Sequence, residues 1–402
     1  MIEYTKARRK RDFFLFILAG AFLGLYGGLY EPSFNNYLND VFQIGEVARG
    51  GLEFPRELPG FLVVFTTGLL LFLPDVRIAV VANLVLAFGL LGLGFLSPSF
   101  TWVVVWMMIW SVGAHLYMPL ESSIGVALSK PGEEGKTLGQ LGAIRTAASL
   151  GGFLLVWLGF RYFDISYGLI FGLAGFFAVA AAVCLLLMMP RPSKTKRQKL
   201  LFKRKYMLFY WLNVLFGARK QVFLTFAPWV LIKVFDQPVT TFAVLGLVGT
   251  VAGIPFRALL GRAIDRFGER AVIATESLLL VLVCLGYGFA KELGLGSLAI
   301  WLVFFCYVGD QMLFACNMAR ATYLNKIADS PDDLTPTLSM GLTIDHVVSM
   351  TIPFFGGLLW MVLGYQYVFL VAAIIALLNF YAALKIPTPG LLAKNSSMGA
   401  SS

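Results

Sequence analysis

Residues 261–270, Gly261-Arg262-Ala263-Ile264-Asp265-Arg266-Phe267-Gly268-Glu269-Arg270, form a short, highly charged stretch between two apolar runs at 240–261 and 271–290. A helix needs about 20 apolar residues to cross the hydrocarbon layer, and backbone groups in lipid must be satisfied within the segment itself. The stretch therefore reads as a polar connection between two membrane helices. The same alternation extends in both directions. Twelve spans are expected, at 13–38, 48–73, 78–97, 101–129, 138–160, 165–189, 206–234, 240–261, 271–290, 297–326, 337–362 and 365–386. The polar, basic stretch from Met1 to Asp12 and the absence of an AxA-type site make the first run a retained span rather than a signal peptide.

Composition agrees. Of 402 residues 58% are hydrophobic and 13% charged, with a mean hydropathy of +0.79. Soluble domains carry about a quarter charged residues, so lipid must cover this surface. The net charge of +10 could suit a polyanion, but its distribution argues for topology instead. With the N-terminus placed in the cytoplasm, Lys6, Arg8, Arg9, Lys10, Arg11, Arg77, Lys130, Lys136, eight residues between Arg191 and Lys205, Arg262, Arg266, Arg270, Lys326, Lys385 and Lys394 fall inside. Arg49, Arg161, Lys233 and Lys291 fall outside. This asymmetry predicts that both termini are cytoplasmic; the expected location is the plasma (inner) membrane. The four cysteines, Cys184, Cys284, Cys306 and Cys316, lie in apolar runs without CxxC spacing and read as buried apolar residues.

The stretch Pro190–Lys205 (PRPSKTKRQKLLFKRK) has no acidic residue and separates six spans from six. The expected organisation is an N-terminal six-helix bundle (1–189), a basic cytoplasmic linker (190–205), a C-terminal six-helix bundle (206–390) and a disordered tail (391–402). An internal repeat supports two similar halves. Residues 111–130 align with 307–326, matching Val112/Val308, Gly113/Gly309, Leu128/Leu324 and Lys130/Lys326; Pro32 meets Pro228, and Ile144-Arg145 meets Ile344-Asp345. Duplicated halves are a known transporter design.

With these features around it, the 261–270 stretch resembles the G-x-x-x-D-R-x-G-x-R/K loop of the major facilitator superfamily, at the place in the second half where that family carries it. The resemblance covers the whole chain. It implies an all-α membrane protein of twelve transmembrane helices in two pseudo-symmetric six-helix bundles, and a cytoplasmic gating loop at Gly261, Asp265, Arg266, Gly268 and Arg270. Gly261 would allow helices to approach, Asp265 would meet a dipole or a basic partner, and Gly268 would permit a tight turn. In the first half the corresponding loop, Leu73-Pro74-Asp75-Val76-Arg77, lacks both glycines, so only Asp75 and Arg77 stand for the latch there. The family's exporter signature on span 5 is incomplete, since Gly142 and Gly151-Gly152 are present without a preceding Gly-Pro pair. No direction of transport is implied.

Ionised residues at the bilayer centre cost roughly 2.5–3.5 kcal/mol each and mark wet cavities or partners. Span 2 holds Glu53, Arg56 and Glu57 at i, i+3 and i+4, a charged stripe beside Pro55 and Pro59 expected to act as gate or solute contact. Span 1 carries Gly20, Gly24, Gly27, Glu31 and Asn35 on approximately one face, with Tyr26 and Tyr30 alongside. Glu31 is expected to contact a proton or the solute, or to partner an arginine. Arg219-Lys220 lie about fourteen residues into span 7, or about 20 Å at 1.5 Å per residue, near the midplane. They are the candidates for an anionic group on the solute; the alternative is neutralisation by Glu31 or Asp310.

Asp310 and Asn317 share a face of span 10 at i, i+7, and His115 lies on span 4 beside the repeat partner of Asp310. In the resembled family spans 1, 4, 7 and 10 line the cavity, which would expose these side chains to solute. Arg145 on span 5 is the counterpart of Asp345 on span 11, next to His346, and implies salt bridges that form in one state and break in another. Glu121 completes the set, with Arg257, Glu276 and Arg320 read as structural.

The expected function is secondary active transport of a small polar or amphipathic organic solute, bearing at least one negative charge, by alternating access with proton coupling. A facilitative uniporter with charges as gates, and a non-transporting membrane sensor of the same fold, are the alternatives. HExxH, GxSxG, Walker and Rossmann patterns are absent from the sequence, so an enzyme is not expected. Nor is a metal, cofactor or nucleic acid. The expected partners are a small-molecule solute, protons and bilayer lipid, with the chain a monomer.

Overall fold

The computed structural model describes residues 6–66, 73–130, 132–190 and 200–387. The middle of the expected linker, 191–199, and the expected tail at 391–402 lie outside the described residues.

The described chain is helical: α1 (Lys6–Phe42), α2 (Glu46–Gly51), α3 (Glu53–Thr66), α4 (Asp75–Phe95), α5 (Phe100–Leu128), α6 (Glu134–Tyr162), α7 (Tyr167–Leu186), α8 (Met207–Lys233), α9 (Val239–Phe289), α10 (Ala299–Leu313), α11 (Asn317–Ile327), α12 (Pro331–Leu363) and α13 (Tyr365–Ala383). Nine helical stretches among the described residues are long and apolar enough to cross a membrane. One of them, α9, runs for 51 residues and holds two spans, because Gly268 at φ 80°, ψ 166° breaks it in the middle of the charged stretch 261–270. Only glycine adopts that backbone without strain. The second span is divided into α2 and α3, and α8 is made too polar for a simple hydropathy test by Arg219, Lys220 and Gln221 at its centre. Counted this way, the helices form the twelve-span, two-bundle fold expected from the sequence.

Two compact units are present. Unit 1 comprises Met1–Ile44, Pro55–Gln198 and Asp236–Thr250; unit 2 comprises Gly45–Phe54, Lys199–Phe235 and Val251–Ser402.

In unit 1, α1 packs on α6 and α7, and α4 on α5 and α7. Without water to drive apolar association in lipid, close backbone approach through small residues holds such helices together. A Cβ on Gly24 would strike the Arg145 carbonyl of α6, and one on Gly28 the Ser149 carbonyl and, at 2.9 Å, Gly152 Cα. Gly113 of α5 likewise lies against Ala82 and Leu86 of α4.

In unit 2, α8 is the central helix, packed by α12 and α13, with Phe223, Phe226 and Trp229 buried. Tyr287 stacks on Phe369 with ring centroids 4.8 Å apart and donates from its hydroxyl to the Ala227 carbonyl at 3.0 Å. The short α2 lies on α12, where Gly50 touches the Pro353 carbonyl and Gly357 lies 2.6 Å, measured from a hypothetical Cβ, from the Glu46 carbonyl. Gly309, the repeat partner of Gly113, faces Val283 of the preceding span, as Gly113 faces α4. All four cysteines are buried free thiols.

Candidate functional site

The centre of α8 carries the largest group of buried charges, and all of it belongs to unit 2. Arg219 donates from Nη1 to Asp310 Oδ1 at 2.5 Å and from Nη2 to Glu276 Oε1 at 3.2 Å. Arg320 of α11 donates from Nη2 to the other Glu276 oxygen at 3.2 Å. The result is an alternating chain, Asp310–Arg219–Glu276–Arg320, with two charges of each sign. The Phe216 ring sits 4.4 Å from the Arg320 guanidinium carbon and 5.4 Å from that of Arg219, offering both its electron-rich face. Buried charges are tolerable only when paired and bonded in this way. Asp310 retains the most side-chain exposure of the four, 12%.

One residue further along α8, Lys220 donates to Asp345 Oδ2 of α12. Gly217 makes the room: a Cβ there would collide with Asp345 Oδ1. His346 is buried next to it. The third contact of α8 is Gln221, which donates to Glu53 Oε2 at 2.6 Å while Arg49 donates to Glu53 Oε1 at 2.6 Å.

These contacts correct several expectations. Arg219 and Lys220 do not await an anion, because carboxylates of their own unit occupy both; of the two neutralising partners foreseen, Asp310 has that role and Glu31 does not. Arg145 and Asp345 are each paired inside their own unit, with Glu121 and Lys220. The stripe Glu53, Arg56, Glu57 is divided, since Glu53 is buried in unit 2 while Arg56 and Glu57 belong to unit 1. Asp310 and Asn317 do not share a face: the 3-10 turn Phe314–Cys316 lies between them and leaves Asp310 buried and Asn317 exposed. Glu276 and Arg320, read as structural, are half of the buried chain. Charge balance could have found them, because Arg219, Lys220 and Arg320 match Asp310, Asp345 and Glu276 one for one.

Unit 1 arranges its charges differently. Arg145 of α6 donates to Glu121 Oε2 of α5 at 2.7 Å, and 42% of its side chain is exposed. Arg56 meets Glu57 at 3.2 Å, and its carbonyl accepts from Ser111 Oγ. His115 Nδ1 lies 3.0 Å from Ser111 Oγ, with Nε2 3.9 Å from Glu57 Oε2. Trp110 Nε1 donates to the Tyr26 hydroxyl at 2.7 Å, and the Trp110 ring stacks on Tyr30 at 4.5 Å. The glycines expected to share a face with Glu31 separate: Gly20 and Gly24 turn to α6, whereas Gly27 opens onto empty space and Glu31, one turn on, is exposed.

Of the loop residues, Asp75 accepts from Ser123 Oγ at 2.5 Å and Arg77 donates to the Leu186 carbonyl at 2.8 Å, so the first-half latch is tied to α5 and α7. In the second half, Glu269 takes Lys326 at 2.8 Å. Arg266 lies over the Phe267 ring at 5.2 Å, Asp265 is exposed and Arg270 is half-buried. Gly261 meets nothing within 4 Å, so it is not a close-approach point, contrary to expectation.

A groove of about 940 Å³ lies where the α4–α5 and α6–α7 connections of unit 1 meet, lined by Tyr37, Phe95, Trp102, Trp106, Phe160 and Tyr167. None of the ionic candidates lines it, and its aromatic walls suit the membrane–water boundary.

Comparison with known proteins agrees with this architecture. No curated protein sequence matches the chain. Among solved structures, a variant of the nucleoside transporter NupG superposes with a TM-score of 0.78 at 11% identity, over 94% of this chain and 100% of that one. A bacterial homolog of the human lysosomal transporter Spinster gives 0.71 at 15% identity, over 96% and 100%. A D-xylose-proton symporter gives 0.69 at 16%, over 94% and 98%. At such identities these likenesses speak for the fold. The sequence profile of the Major Facilitator Superfamily matches residues 59–326, two-thirds of the chain. This protein therefore belongs to the major facilitator superfamily: it is an integral membrane transporter of small solutes and not an enzyme.

Proposed function

We propose that the protein is a proton-coupled secondary active carrier of a small polar or amphipathic organic solute, working by alternating access as a monomer in the plasma membrane with both termini cytoplasmic. In this reading residues 1–189 and 206–390 are the two moving bundles, joined by 190–205. The observation that carries it is the Asp310–Arg219–Glu276–Arg320 chain. As ionised groups the four sum to zero. A proton on Asp310 cancels one carboxylate, leaves Arg219 with Glu276 alone and gives the cluster a net positive charge in a poorly solvated place. A rearrangement that rehydrates or re-pairs Arg219 then becomes favourable, which is how a local charge change biases a two-state element. The Lys220–Asp345 pair, beside His346, is a second contact a proton can open. Arg145–Glu121 and Arg56–Glu57 with His115 are the corresponding contacts of unit 1, and Glu53 and Asn317 complete the set. Asp75, Arg77, Gly261, Asp265, Arg266, Gly268 and Arg270 form the cytoplasmic gating loops.

The test uses proteoliposomes with a trapped pH dye and compounds first selected by thermal shift. An imposed proton gradient should drive accumulation in the native protein, whereas Asp310→Asn should exchange solute without accumulating it. Accumulation absent in the native protein, with exchange indifferent to the gradient, would make the protein a facilitator instead.

A further inference from the structure

A further charged surface of unit 1 lies at the end of the bundle where α1 begins and α7 stops. Three arginines from two helices converge there on the last residues of α7. Arg8 of α1 donates from Nη1 to Met189 Sδ at 3.6 Å, Arg11 of α1 from Nη2 to the Leu187 carbonyl at 3.0 Å, and Arg77 of α4 from Nη1 to the Leu186 carbonyl at 2.8 Å. Cations suit the carbonyl end of a helix, so part of their work is to cap α7. Capping takes only one of the five N–H donors of a guanidinium. Arg8 and Arg11 are exposed, whereas the acid beside them is withdrawn: Asp12 is fully buried, accepts from the Met189 N–H at 3.3 Å and meets Arg11 at 3.4 Å.

The charges here do not balance. Residues 8–12 and 75–77 carry Arg8, Arg9, Lys10, Arg11 and Arg77 against Asp12 and Asp75, an excess of three positive charges. Asp75 is taken by Ser123, and Arg9 turns to the Leu128 and Ser129 carbonyls at the end of α5. On the turn between α5 and α6, Lys130 and Lys136 are matched by Glu133 and Glu134 and change nothing. Past Pro190 the sequence adds Arg191, Lys194, Lys196, Arg197 and Lys199 and no acid.

An apolar strip starts where the arginines are. On α7, Phe176, Val179, Val183, Leu186 and Leu187 are exposed and, at 100° per residue, fall within about 100° of arc. From Leu187 back to Phe176 the helix rises about 16 Å, half of the roughly 30 Å hydrocarbon thickness. Phe14, three residues after Arg11 on α1, is exposed too, and Phe22 of α1 stacks on Phe177 of α7 with centroids 6.0 Å apart, so the two helices run side by side along the strip. Any lipid-facing helix shows an apolar strip. This one ends on three arginines.

We propose that this surface holds one anionic phospholipid, its phosphate on Arg8, Arg11 and Arg77 and an acyl chain along α7 from Leu187 to Phe176. The guanidinium fork matches phosphate oxygens. A soluble phosphate would use the arginines and leave the strip bare, and a zwitterionic headgroup brings its own cation and gains nothing from the excess charge. By bridging arginines of α1 and α4, the headgroup ties both helices to the end of α7. The site stands independently of the carrier reading; the topology proposed above puts it in the cytoplasmic leaflet.

The test titrates the full chain, purified in detergent, with dioleoyl phosphatidylglycerol, dioleoyl phosphatidylcholine and soluble sn-glycerol 3-phosphate, reading the rise in melting temperature that binding causes by mass action. Phosphatidylglycerol should raise it at concentrations where the other two do not. The double variant Arg8→Gln, Arg11→Gln should weaken that response about thirtyfold, the scale of two basic residues at an anionic surface. Arg161→Gln, which removes an exposed arginine at the opposite end of α6, should leave it unchanged. If the double variant does not fold, amide exchange across 183–190 of the native protein decides: phosphatidylglycerol should slow it and phosphatidylcholine should not. Equal effects of the two lipids in either measurement would overturn the proposal. So would a phosphatidylglycerol response undiminished in the folded double variant, which would leave the arginines as caps alone, or one weakened as much by Arg161→Gln, which would make it a response to overall charge. A response to glycerol 3-phosphate as large as that to the lipid would make this a site for free phosphate and overturn it as well.

Discussion

Unit 1 and unit 2 both hold charges in helices of membrane length, yet they treat them in opposite ways. In unit 2, Arg219, Glu276 and Arg320 are at most 2% exposed, and all three are tied to one another or to Asp310. In unit 1, the Arg145 side chain is 42% exposed and Glu31 makes no ion pair or hydrogen bond among the described residues. A paired, buried cluster resists change until a proton or a displaced helix upsets its charge balance. In the proposed carrier reading, the paired cluster of unit 2 is the part that responds to protons.

The most direct way to break this comparison is to remove a charge from each side. Glu276→Gln leaves Arg219 with Asp310 alone and takes from Arg320 the carboxylate it holds. Losing one member of a buried pair costs about 3–5 kcal/mol, so the melting temperature in detergent should fall sharply. Glu31→Gln removes an exposed, unpaired charge and should move stability by no more than about 0.5 kcal/mol. Equal losses from the two changes would show that the units do not differ in this way.

A second pair sharpens the comparison inside unit 1. Gly28→Ala drives a methyl group into the Ser149 carbonyl and the Gly152 backbone, and overpacking of this kind costs about 1–3 kcal/mol. Gly27→Ala meets nothing and should be neutral to slightly stabilising, by up to about 1 kcal/mol. Gly27→Leu is the informative extension: the open space there should take the larger side chain while the melting temperature holds. Of similar size is Gly268→Ala, which forces a Cβ into a backbone region reserved for glycine at a cost of about 1–3 kcal/mol. Its thermal denaturation should show that loss even though the residue lies between spans.

The contrast between Gly27 and Gly28 also marks how far the sequence could be read. Twelve spans were legible because apolar length is a one-dimensional property, and even the break inside α9 was announced by Gly268. The place of Arg219 and Lys220 at the middle of α8 followed from helical rise alone. Their partners did not, because Asp310 and Glu276 stand 91 and 57 residues away in the chain, and only packing brings them together. Neighbouring residues on a helix differ by about 100° in direction. A one-residue error in phasing α1 therefore exchanges a glycine packed on α6 for one facing open space, which is how Gly20, Gly24 and Gly27 came to be grouped with Glu31. The stripe Glu53, Arg56, Glu57 failed for a related reason: helical spacing predicts a shared face only where one helix belongs to one packed body, and the two units divide at Phe54–Pro55.

The smallest effect is expected where charges meet in water rather than in a core. Lys203 donates to Asp333 at 2.5 Å, Lys205 donates to Asp329, and the Tyr206 hydroxyl donates to Asp333 at 2.7 Å and accepts from the Asp329 backbone N–H at 3.0 Å. The bond to Asp333 raises Lys203 above its ordinary pKa of 10.5, and the bond from Lys205 lowers Asp329 below 3.8. A lowered carboxylate contributes stability above its ordinary value and loses it as pH falls through the folded one; a raised lysine contributes fully below its ordinary value and loses it as pH rises through the folded one. The clamp should therefore hold unchanged through neutral pH and release only in strong acid or strong alkali. Salt acts sooner, because the screening length shrinks to about 3 Å at 1 M. Amide exchange across 200–206 should accelerate by up to about fivefold between low and molar salt, the range of exposed ion pairs, while exchange around Arg219 stays unchanged. Equal salt sensitivity at both places would mean that the Arg219 cluster is wet, and that its charges are held by solvent rather than by one another.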